Sequence, residues 1–209
     1  MDHIHPIEPI ATILLIALLI YLRMKRKKDE KPTRRPNPAE AKVTIERPAK
    51  VEDPPEVVYA KLRRRALETT PEALGVANDL GPGDPFVLLM EMGMPGTVVT
   101  LACFADGDAG VYYQTGGGMI GGRAHESVRK VAKDFIAQIK PLVVGMPKMP
   151  DPPLPEPGRV RFTALTPEGI FTAETDREAL AEPGNPLSAL YYSGQEVVSQ
   201  MREVLAQKA

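Results

Sequence analysis

Fourteen consecutive uncharged residues, PIATILLIALLIYL at 9–22, run directly into the basic cluster RMKRKK. About 20 apolar residues normally cover the hydrocarbon core of a bilayer, so this run spans one with snorkelling flanks or local thinning. A globular core would not set such a run against a cationic collar. A cleavable signal peptide would carry its basic residues first and small residues last, and here that order is reversed. The sequence therefore predicts a retained transmembrane helix over 9–22. The positive-inside rule holds Arg23, Lys25, Arg26, Lys27 and Lys28 at the cytoplasmic surface and puts the short tip, residues 1–8, outside. The expected location is the cell membrane, single-pass, with the carboxyl-terminal bulk cytoplasmic.

Charge divides the chain in the same places. Residues 1–22 carry only Asp2 and Glu8; residues 23–50 carry eleven Lys/Arg against four Asp/Glu; residues 51–209 carry fifteen against twenty-one. The stretch 23–55 is charged, proline-punctuated and without apolar periodicity, which predicts a tether whose basic start lies on anionic headgroups. No aromatic interleaves its basic residues to stack on a base, so the lipid bilayer is the expected partner and nucleic acid is not. The single cysteine, Cys103, excludes an intramolecular disulfide framework.

From residue 56 to 207 the pattern is that of an α+β domain. A helix is expected to start at Pro54 or Pro55, with Val57, Val58, Leu62 and Ala66 facing the core and Arg63, Arg64 and Arg65 solvated. FVLLMEM (86–92), TVVTLACF (97–104) and AGVYYQT (109–115) read as strands in antiparallel hairpins joined by GMPG and ADGD. HESVRKVAKDFIAQIK then carries Val128, Val131, Ala132, Phe135, Ile136 and Ile139 on one helical stripe, with Pro141 as its expected end. PLVVGM reads as a short strand, PKMPDPPLPEPG as a proline-rich connection, and RVRFTAL and GIFTAET as another hairpin. A terminal helix follows, with Ser193 and Glu196 as a capping box and Val197, Val198, Met201, Val204 and Leu205 facing inward. The fold class is a mostly antiparallel sheet of five to six strands with helices on one face. Its two strand–turn–strand–loop–helix runs, 97–140 and 159–208, suggest a duplicated ββα unit.

The stretch VYYQTGGGMIGGRAHESV, with five glycines in seven positions, is the main candidate for chemistry. Gly116, Gly118 and Gly121 satisfy a bare GxGxxG, but they follow a hairpin rather than a βαβ crossover, and no acidic residue ends a next strand. No Gly-Lys-Ser/Thr closes the loop as in a Walker motif. Two readings remain: glycines that supply positive φ and close packing, or an anion site built from Gly116, Gly117, Gly118, Gly121, Gly122 and Arg123. Asp106 and Asp108 resemble the start of a calcium loop without its distal ligands, so they read as a hairpin turn and no metal is expected. Cys103 and His125, the latter placed in the first turn of the helix, are the one available thiol–imidazole pair. Strand alternation buries Cys103 with Val99 and Leu101, which makes a thiol inert.

FADG, VYYQTGGGMIGG and HESVRKVAKDF together resemble a recurrent domain of uncharacterised bacterial proteins, over about residues 56–205. The resemblance implies a bacterial source and carries no activity with it. The expected function is that of a membrane-anchored interaction or regulatory module with a protein partner, without cofactor or catalysis. An anion- or nucleotide-phosphate-binding domain is the alternative, and a Cys103/His125 thiol enzyme comes third.

Overall fold

The computed structural model describes residues 53–207. The expected tip, transmembrane helix and nearly all of the tether, with Arg23, Lys25, Arg26, Lys27 and Lys28, lie outside the described residues. Among the described residues no helix is long and apolar enough to cross a membrane.

Six strands form one antiparallel sheet: β1 (Val87–Met94), β2 (Thr97–Phe104), β3 (Ala109–Tyr113), β4 (Gly118–Met119), β5 (Arg159–Thr166) and β6 (Gly169–Asp176), in the order β4-β3-β2-β1-β5-β6. β1 is central and pairs with both β2 and β5, so Leu89 faces Ala102 on one side and Thr163 on the other. Helices α1 (Pro55–Leu67) and α2 (Pro71–Leu74) precede the sheet, α3 (Glu126–Val143) follows β4, and α4 (Ser188–Ala206) ends the domain.

Strand alternation splits the core in two. Leu88, Met90, Leu101, Val111, Val160 and Phe162 turn to one face and pack with Phe135 and Ile139 of α3 and with Leu190 and Val197 of α4. Full burial of each such side chain contributes roughly 1.5–3 kcal/mol, so this layer dominates the stability of the domain. The sheet's other face carries Val87, Leu89, Val98, Ala102, Tyr112 and Leu165 beneath Tyr59 and Ala66 of α1. Helices therefore cover both faces, not one.

The reason lies in α1, whose buried face is Tyr59 and Ala66, with Leu62 half-buried, whereas Val57 and Val58 are exposed. Arg63 belongs to that inner face as well. It donates from Nε to Glu91 Oε1 at 2.6 Å and from Nη2 to Oε2 at 3.1 Å, and Glu91 is fully buried in β1. The same Nη2 donates to the Pro152 carbonyl at 2.8 Å. A basic triplet thus divides: Arg64 and Arg65 stay exposed, and Arg63 finds its counter-charge inside. Burial works against the Arg63 charge, but the hydrogen bond and field of Glu91 outweigh it and raise its pKa.

The proline-rich connection crosses this face as a strap. Pro152 and Pro155 are buried, the Pro153 carbonyl accepts from Arg161, and a side chain at Gly93 would meet the Glu156 carbonyl oxygen. Proline carbonyls, which no sheet ladder uses here, are thereby satisfied by arginines.

Three boundaries differ from expectation. α3 runs through Pro141 to Val143, and PLVVGM forms no strand. Proline's fixed φ already suits a helix, and in the last turns it forfeits only one backbone bond. α4 starts at Ser188, so Ser193 lies inside it and accepts from Gln138 of α3 at 3.1 Å instead of capping. Leu205, near its end, is exposed.

Candidate functional site: the glycine loop and its cleft

The loop after β3 turns because its glycines adopt φ values closed to other residues: +105° at Gly116, +81° at Gly117 and +87° at Gly121. The expected third strand stops at Tyr113, and Gly118–Met119 folds back as the edge strand β4, pairing Gly118 with Tyr112 and Met119 with Val111. Gly118 must lack a side chain, since a Cβ there would lie 2.3 Å from the Val111 carbonyl oxygen. Gly122 approaches α3 equally closely, a Cβ falling 2.6 Å from Val128 Cγ1. Each of these requirements is met by packing alone.

Arg123 is two-thirds exposed and already has counter-charges. Its Nη1 donates to Asp106 Oδ2 at 3.0 Å, and its backbone N–H donates to Asp108 Oδ1 at 3.0 Å. Asp106 Oδ1 also accepts from the Asp108 N–H at 3.0 Å, so the ADGD carboxylates close their own hairpin. An anion entering the loop would meet two carboxylates beside its one arginine.

His125 is the residue preceding α3, at φ −120°, and its side chain caps nothing. Cys103 is fully buried in the larger core layer; burial first, then the charge of Asp108, push its thiol well above the usual range. No hydrogen bond joins the two among the described residues. No group of three His, Cys, Asp or Glu side chains among the described residues is placed to hold a metal ion.

The loop also forms one wall of a cleft of about 440 Å³. Ile120 and Gly121 of the loop line it together with Leu62, Arg65 and Ala66 of α1, Leu74 of α2, and Phe104, Asp106, Asp108 and Tyr112. Ile120 is 75% exposed at the rim. Alternation along β3 puts Gly110 and Tyr112 on one face, and a Cβ at Gly110 would lie 2.7 Å from the Tyr112 hydroxyl. The tip of the phenol ring therefore lies over Gly110.

Tyr112 is 8% exposed, and among the described residues its hydroxyl has no hydrogen-bond partner. Burial and then Asp108 raise its pKa, while Arg65 acts in the opposite direction. Tyr59, also on the α1 side of the sheet, contrasts with it: its hydroxyl shares a 2.8 Å bond with Thr100 Oγ1, and burial pushes its pKa up to about 12. The sequence showed neither the cleft nor Tyr112, although the period-two spacing of Gly110 and Tyr112 within β3 held part of the signal.

No protein-family model matches this chain, and neither a curated protein nor a solved structure does. The resemblance drawn from FADG, VYYQTGGGMIGG and HESVRKVAKDF rests on those motifs alone.

Proposed function

We propose that this chain is a single-pass membrane protein whose carboxyl-terminal α+β domain works in the cytosol as an interaction or regulatory module rather than an enzyme. The observation that carries the reading is the uncharged run 9–22 followed by five basic residues in the next six positions. The bilayer is one partner, through the helix and through Arg23, Lys25, Arg26, Lys27 and Lys28 on anionic headgroups. A protein is the other, and the cleft with its exposed Ile120 supplies a surface for contact. The two strand–strand–helix runs flanking β1, with α3 and α4 on one face, support a duplicated ββα plan.

The anion-binding reading of Gly116, Gly117, Gly118, Gly121, Gly122 and Arg123 ranks second, because Asp106 already occupies the guanidinium that would receive the ligand. Alkaline carbonate extraction of membranes tests the first reading. The full chain should stay in the pellet, and a chain lacking residues 9–22 should move to the supernatant. Release of the full chain would remove the anchor from the account.

A further inference from the structure

Helix α1 has an outward side that neither core layer uses. At 3.6 residues per turn, Val57, Val58, Lys61, Arg64, Arg65 and Glu68 fall on one arc of about 120°, opposite the buried Tyr59 and Ala66. Val57 through Arg65 on this arc are exposed, as is Glu68. The arc carries three cations against one carboxylate, on a stretch, 51–209, in which acidic residues outnumber basic ones. Lys61 pairs with Asp53 at the surface. Arg64 and Arg65 form no ion pair among the described residues, whereas Arg63, the first of the triplet, is held by Glu91 and the Pro152 carbonyl. Beside the arc lies a hollow of about 370 Å³, whose lining includes Lys61, Arg64, Arg65, Glu68, Thr69 and Thr70.

Folding does not call for this arrangement. Lys61 stands one turn from both Arg64 and Arg65, and like charges at that spacing repel; Glu68, a turn further on, offsets part of it. Val57 and Val58 bury little surface in the domain.

We propose that this arc docks on the anionic surface of a bilayer, which rests on the membrane reading above. Lys61, Arg64 and Arg65 face the charged headgroups, one headgroup sits in the hollow, and Val57 and Val58 reach the headgroup boundary. Charge complementarity selects such a surface, and so does position. α1 is the first helix after the basic stretch 23–50, whose leading cations are assigned to the same headgroups. No aromatic lies on the arc to stack a base, which argues against nucleic acid. Because α1 covers one face of the sheet and α3 and α4 the other, docking turns α3 and α4 away from the lipid.

The test uses the full chain in vesicles of phosphatidylcholine, and of phosphatidylcholine with phosphatidylserine in equal parts, each with nitroxide-bearing headgroups as quencher. Cys103 is buried, so a fluorophore attaches to a thiol introduced by Ala60→Cys beside the arc or, as control, by Ser199→Cys on α4. Over anionic vesicles the label at 60 should be quenched far more than the label at 199, and high salt should reverse this. Over neutral vesicles the two should be alike. Arg64→Gln with Arg65→Gln breaks no ion pair among the described residues, so the variant should melt at the parent temperature. Its ratio of docked to undocked domain should nevertheless fall about 25-fold, a factor of about five for each cation. Flotation with the vesicles reads the anchor separately: a chain that floats only with anionic vesicles, its label at 60 still quenched, loses the anchor and keeps the docking face. Four results would overturn the proposal. The label at 60 is quenched no more than that at 199; the double variant is quenched like the parent; poly-L-glutamate at equal charge concentration displaces the arc, which assigns it to an acidic protein; or inorganic phosphate at matched ionic strength displaces it, which makes the hollow a site for the free ion.

Discussion

Arg63→Met removes the one cation among the described residues that forms an ion pair with the buried carboxylate of Glu91. In the native protein that carboxylate accepts two bonds from Arg63, at 2.6 and 3.1 Å, and a longer one from Thr100 Oγ1 at 3.3 Å. The Arg63 side chain is 13% exposed and that of Glu91 is fully buried, so solvent screening discounts the pair little. Breaking such a pair from one side costs about 3–5 kcal/mol, because the surviving charge stays buried without compensation. The Pro152 carbonyl loses its donor as well, which loosens the strap. For a domain of this size the loss lowers Tm on the order of 10 °C. The double substitution Arg63→Met with Glu91→Leu removes both charges and should regain most or all of the loss, since hydrophobic replacement of a buried pair is often neutral or stabilising. Urea unfolding of the full chain and its three variants, followed by far-UV circular dichroism, gives the coupling energy directly. Two results would refute the reasoning: a single-variant cost below about 1 kcal/mol, or a double variant whose cost equals the sum of the singles.

Three further outcomes follow from the same geometry. Tyr59, Tyr112 and Cys103 hold their protons in the fold beyond the pH at which the unfolded chain releases them, so stability should be intact below pH 9 and fall above it. The cysteine share starts near 9.0 and the tyrosine shares near 10.0, and that of Tyr59 is spent by about 12, at about 1.4 kcal/mol per pH unit per group. Calorimetry across this range should show the decline, and Cys103→Ala should remove its part between pH 9 and 10. Gly117 and Gly118 separate conformation from contact: Gly117→Ala meets open space at φ +81° and should cost about 1–2 kcal/mol, whereas Gly118→Ala meets the Val111 carbonyl and should cost at least about 2 kcal/mol more by urea titration. The Cys103 thiol should ignore a thiol-specific chromophore in the folded protein and react once in denaturant; fast reaction in the native state would contradict its burial.

The large core layer was legible in the sequence because it obeys simple periods. Val128, Ala132, Phe135, Ile136 and Ile139 repeat at helical spacing, and the hairpins alternate at period two with glycine turns between them. The second layer was hidden because it mixes charge with apolar contact. Glu91 in FVLLMEM and Arg63 in LRRRAL look like solvated residues until their partners, distant in sequence, are brought together. Alternation alone cannot say that a polar position is covered rather than wet, which is why α1 was expected on the wrong footing and its valines inside. β4 escaped notice because a two-residue strand among glycines has no side-chain pattern to display. The cleft required three elements to converge, α1, the ADGD turn and the glycine loop, and no local window contains all three.

Protease accessibility reads the proposed anchor and its orientation at once. With a tag at the carboxyl terminus of the full chain, protease added outside intact cells should leave the domain whole, and lysis should make it cleavable. Digestion of the domain in intact cells, or its recovery away from membranes after lysis without detergent, would contradict the placement of this protein.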